Sequence, residues 1–279
     1  MTRNTRHRML LYPAAVLILA ALGYAGFLYR AEPEVPQLVN SAEVLAQAGV
    51  FERAIEDAER ALRQDPDHPY AHVILGYAYG QTGSHGKSVH HYRRAVELTP
   101  AAEPTLSALR LYLAEALLAG GNPADCVREA EAVLAEWPRE YQANYVLGRA
   151  FLAMGRPADA RAAFEAARAA APGDPEPLLL LAGLAESAGD LREAERVLGE
   201  AVDVSAGSAE ALLRRAMVRE ARADHEGAVL DTLAAAKKSR AYTSRSLARN
   251  DSLSKLREDP RVVAALAAPK APEKKSGNG

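Results

Sequence analysis

Five of the seven histidines fall between positions 68 and 91: His68, His72, His85, His90 and His91. Imidazole is a common ligand for transition metals, so the cluster raises the possibility of a metal or small-ligand site. A helical metal site wants its ligands about four residues apart on one face. His90 and His91 are adjacent and point to different faces, neither has a partner at that spacing, and His85 falls in a turn. The spacing predicts solvated surface histidines, with metal or small-ligand binding through the His68–His91 cluster as the alternative. The single cysteine, Cys126, excludes an intrachain disulfide. No reactive pattern surrounds it, and it reads as a small buried residue. There is no glycine-rich phosphate loop, no paired-carboxylate motif and no Gly-x-Ser-x-Gly elbow. Catalysis and a bound cofactor are therefore not expected. A formal net charge of −2 gives no overall field for nucleic acid. The basic residues from Lys237 to Arg261 are scattered among acids without interleaved aromatics, the pattern of a solvated face.

The elements that carry these residues are helical. Alanine is abundant and aromatics make up only 6% of the chain, a bias that favours helices. A repeat of about 34 residues runs through the sequence. From Pro69, His72 is followed by Leu75-Gly76, Tyr79, Gly83, Ser88, Tyr92, Ala95 and Pro100. From Tyr141, Asn144 is followed at the same spacings by Leu147-Gly148, Phe151, Gly155, Ala160, Phe164, Ala167 and Pro172. The same frame places units at 35–68, 107–140, 175–208 and 209–242. The last is worn, with Arg215 and Arg219 at positions that are apolar elsewhere. Gly49, Gly83, Gly121, Gly155 and Gly189 fall at the turn between two helices, where a left-handed residue ends the first. The small pairs Gly76 with Ser88, Gly148 with Ala160 and Ala182 with Ala194 let the two helices approach, while Leu75, Tyr79 and Tyr92 fill the space between neighbouring hairpins. One hairpin cannot bury its apolar face alone, so stacking is obligatory. Glu103 to Leu106 break the register, and a longer loop or helix start absorbs such an insertion.

This pattern resembles the tetratricopeptide repeat family. The resemblance implies an all-α fold, an α-solenoid of about six helix-turn-helix repeats over 37–242, with a protein or peptide as partner. In that family the first helix of each repeat lines a concave groove. Carried over position by position, the groove would hold Tyr70, Val73, Tyr77, Gln81, Leu111, Glu115, Gln142, Tyr145, Arg149 and Leu152, with Val39, Glu43, Gln47, Leu118, Leu179 and Glu186 beside them. Aromatic anchors among a few polar groups suit a peptide or helix laid in a groove. The Lys and Asn with which some members grip a partner's C-terminal carboxylate are absent, since Val39 and Glu43 stand in the corresponding helix.

Met9 to Tyr29 carry no charge, and a run of about 20 apolar residues can cross a bilayer as a helix. Arg3, Arg6 and Arg8 precede it, which puts residues 1–8 in the cytoplasm and the repeats across the membrane, in the periplasm of a bacterial host. A cleaved signal peptide is the alternative, although the run exceeds a usual h-region. Residues 30–36 read as a stiff linker, 243–268 as helices that cap the last repeat, and the Pro-, Lys- and Gly-rich 269–279 as a disordered tail. The whole reads as a single-pass, membrane-tethered interaction scaffold serving the assembly of an envelope complex.

Overall fold

The structure, a computed structural model, describes residues 34–267. The transmembrane helix expected over 9–29 and the tail 269–279 lie outside the described residues. Among the described residues no helix is long and apolar enough to cross a membrane. Their regular structure is entirely helical, fifteen α-helices and one 3-10 turn. The chain forms two compact units that divide between Leu109 and Arg110.

The first unit contains α1 (Val35–Gln47), α2 (Phe51–Gln64), α3 (Pro69–Gln81) and α4 (His85–Leu98). Proline opens or nearly opens α1 and α3, where its missing N–H costs nothing. His68 caps α3 by accepting from the Ala71 N–H. Leu38, Ala42, Ala54, Ala58, Ala61, Ala71 and Leu75 form the core. Two polar contacts brace its edges: the Ser41 hydroxyl donates to Asp57 at 2.7 Å, and the Tyr79 hydroxyl donates to Glu59 at 2.7 Å.

Helix α5 (Thr105–Ala119) takes up the register break. At fifteen residues it is longer than the thirteen-residue α1 and α3, and the preceding Glu103 is held by the Pro100 carbonyl. The second unit then runs through α6 (Pro123–Glu136), α7 (Tyr141–Ala153), α8 (Pro157–Ala170), α9 (Glu176–Ser187), α10 (Leu191–Val204), α11 (Ala209–Ala221) and α12 (His225–Lys238). It closes with α13 (Arg240–Arg249), the 3-10 turn Asp251–Leu253, α14 (Ser254–Glu258) and α15 (Pro260–Ala267). Phe164, Leu178, Leu181 and Leu198 are fully or almost fully buried in its main core. Leu247, Leu253, Leu256 and Val262 pack on Ala216, Ala228 and Val229, so the closing helices cover the apolar side of the last hairpin.

The five turn glycines all have φ between 69° and 77°. In each turn the following N–H reaches back to the first helix, as Ser84 does to the Tyr79 carbonyl and Asp190 to the Ala185 carbonyl. Two of the small residues do more than let the helices approach. A Cβ on Gly76 would meet the Tyr92 ring at 2.8 Å, and one on Gly148 would meet the Phe164 ring at 2.5 Å. The glycine thus makes room for the aromatic ring of its own hairpin's second helix. Ser88 meets Gly76 in a different way: its hydroxyl donates to the Gly76 carbonyl at 2.7 Å. Tyr92 therefore packs within its own hairpin, over Gly76.

The worn repeat keeps its geometry by other means. Arg215 grips Asp231 with two hydrogen bonds of 2.9 and 2.7 Å, and Arg219 reaches Asp231 and Glu195. Asp231 is 4% exposed. A buried carboxylate facing two guanidinium groups fills the place that apolar side chains fill elsewhere.

Candidate functional site

Exposed apolar groups on the first helices are where a partner could gain buried area. In the first unit, Tyr70, Val73, Tyr77 and Gln81 follow one another at helical spacing along α3, on one stripe. Tyr70 and Tyr77 are 44% and 42% exposed, Val73 is half-buried and Gln81 is exposed. Phe51, from the start of α2, meets Tyr77 edge-on with ring centroids 6.0 Å apart. Phe51 was missed in the sequence because it lies on a second helix. Its only signal is a large apolar residue directly after the turn.

In the second unit, Gln142, Tyr145, Arg149 and Leu152 make a corresponding stripe on α7. Tyr145 is half-buried, stacked on Tyr141 with centroids 5.8 Å apart, and the Arg149 guanidinium lies 5.9 Å from its ring centroid. Burial, with Glu176 nearby, holds the Tyr145 hydroxyl above its ordinary pKa, so it stays a neutral donor. Arg149 and Leu152 are exposed. The Gln142 amide donates to Glu115 of α5 at 2.5 Å, which ties the two first helices together. Leu111 is half-buried, and its neighbour Tyr112, which the positional transfer passed over, is 47% exposed. Val39 and Leu179 correct the expectation: at 7% and 4% exposure they belong to the cores.

The histidines are not a solvated set. His72 is 5% exposed, and its Nδ1 lies 2.9 Å from Nδ1 of His91, nineteen positions away. His91 stacks on Tyr79 at 5.6 Å. His68 is spent on capping α3, although it stands four residues before His72. Among the described residues no group of three or more His, Cys, Asp or Glu is placed to hold a metal ion. Sequence spacing missed the His72–His91 pair because the partners lie on different helices. Cys126 is fully buried, and burial raises its thiol to about 11, so it is no nucleophile at neutral pH.

Known proteins match this architecture. Family profiles described as tetratricopeptide repeat match residues 39–103, 111–175 and 151–216. The chain is 33% identical over 94 residues to the cytochrome c-type biogenesis protein CycH of Rhizobium meliloti, a match that spans 33% of this chain and only 25% of that protein. Among solved structures, PilW, described as a widely conserved type IV pilus biogenesis factor, superposes with a TM-score of 0.63 at 19% identity, covering 80% of this chain and 97% of PilW. PilF of Pseudomonas aeruginosa gives 0.61 at 17% identity, covering 80% and 96%. At these identities the structural likeness speaks to the fold alone. The profile matches, which together cover more than half of the sequence, place the chain in the tetratricopeptide repeat family.

Proposed function

We propose that this protein is a non-catalytic interaction scaffold that holds a peptide or protein partner on the exposed stripes of its first helices. One stripe is Tyr70, Val73, Tyr77 and Gln81 with Phe51; the other is Gln142, Tyr145, Arg149 and Leu152 beside Glu115 and Leu111. The observation that carries the reading is the pair of tyrosines on α3, each more than 40% exposed along one helical face. Exposed Tyr and Arg are the residue types that dominate binding energy when covered. The scaffold is tethered by residues 9–29, with residues 1–8 in the cytoplasm and the repeats on the far side of the membrane. Its work is the assembly of an envelope complex. The role of CycH in cytochrome c-type biogenesis supports that context. Tethering keeps the stripes at high effective concentration near membrane-bound partners.

The test is crosslinking and partner identification in the native membrane, followed by Tyr77→Ala combined with Arg149→Ala. Both side chains are exposed, so the fold should survive, with an unchanged circular dichroism spectrum and melting point. Partner capture should fall at least tenfold, the equivalent of about 1.4 kcal/mol or more. Undiminished capture by the folded double variant would place the docking face elsewhere.

A further inference from the structure

We propose that the His72–His91 pair is an acid-sensitive latch: it fastens α3 to α4 while both rings are neutral and releases them when the pair takes up protons. The inference goes beyond the docking function and does not rest on it.

The hydrogen-bond geometry fixes the protons. Nε2 of His72 lies 3.1 Å from the Pro66 carbonyl oxygen, which can only accept. That nitrogen therefore carries the His72 proton, and the Nδ1 of a neutral His72 is bare. The hydrogen in the 2.9 Å contact then belongs to His91, whose Nδ1 donates. A proton on Nδ1 of His72 keeps the bond only if His91 carries its own hydrogen on Nε2; with both rings charged, two N–H groups face each other and drive the rings apart. His91 can take one at Nε2 without losing the bond, but only by creating a partly buried cation beside other basic groups.

Basic neighbours oppose that cation: α4 supplies Lys87 and His90, α3 supplies His72 itself, and Arg94 acts in the same sense on His72. The two carboxylates at hand are already engaged: Glu59 of α2 accepts the Tyr79 hydroxyl, and Asp67 of the preceding turn accepts from Arg94 at 2.6 Å. Burial, reinforced by His72, His90 and Lys87, holds His91 down at about 4. Burial lowers His72 as well, against the Pro66 carbonyl, which raises it. Both folded values lie below the ordinary 6.5. The folded unit therefore binds fewer protons than the unfolded chain, and stability is complete above about pH 6.5 and falls away toward about pH 4. Within that window each histidine raises the opening equilibrium by up to about tenfold per pH unit.

Hydrogen exchange on the full chain tests this, corrected for intrinsic rates and compared at about pH 7 and about pH 5. Protection across residues 69–98 should fall about tenfold or more at the lower pH, while residues 141–170, which lack a histidine pair, hold theirs. His91→Gln keeps a neutral donor and cannot charge, so it should reduce the loss to what His72 alone contributes. If that variant folds poorly, NMR titration of the imidazoles in the unaltered chain decides. The His91 ring should resist protonation to below about pH 5 and the His72 ring should titrate below its ordinary 6.5, and their titration should coincide with the loss of protection. Protection of 69–98 that is the same at both pH values, or titration of both rings near 6.5 with the helices intact, would overturn the latch.

Discussion

A single left-handed residue closes each hairpin, and at one hairpin that residue is not glycine. Ala223 stands at the turn between α11 and α12, with φ 64°. Its N–H reaches the Glu220 carbonyl and the Asp224 N–H reaches that of Arg219, the same closure seen at Gly189. An alanine there pays a steric cost that glycine avoids. Ala223→Gly should stabilise the second unit by about 0.5–1 kcal/mol, the strain relief being partly offset by added freedom in the unfolded chain. Urea denaturation measures it, and a lower midpoint would show the turn to be unstrained. The turn glycines were legible because a required backbone conformation leaves few residue choices. The role of Gly148 was only half legible. Its smallness showed in the sequence, but not the Phe164 ring it accommodates.

At the scale of the element, a helical face can be read from spacing while its depth cannot. The stripes of α3 and α7 follow the period, and Tyr77, Arg149 and Leu152 are exposed. Val39 and Leu179 have equally suitable positions and are buried, because the flanking helices decide how far a face is covered. The reading of α11 as worn had the same limit. Arg215 and Arg219 break the apolar pattern, and Asp231, sixteen positions beyond Arg215, restores it by charge. Asp231→Ala should cost about 3–5 kcal/mol, since it strands the largely buried Arg215 guanidinium and leaves Arg219 with Glu195 as its close carboxylate. Thermal unfolding checks this, and a loss under about 1 kcal/mol would mean that water already solvates the network.

At the scale of the whole molecule, the helical architecture was legible because one pattern recurs, and each recurrence repeats the evidence for the others. The register break at Glu103–Leu106 lies just before the division of the chain into its two units at Leu109 and Arg110. The proposed docking face is less legible, because repeats specify their own stacking and leave the exposed positions free to suit a partner. Photo-crosslinking side chains at Tyr77 and Leu152, compared with the exposed second-helix positions Arg93 and Ala162 in intact cells, tests that face most directly. The account predicts partner adducts from Tyr77 and Leu152 and background from Arg93 and Ala162. Adducts confined to the second helices would contradict it.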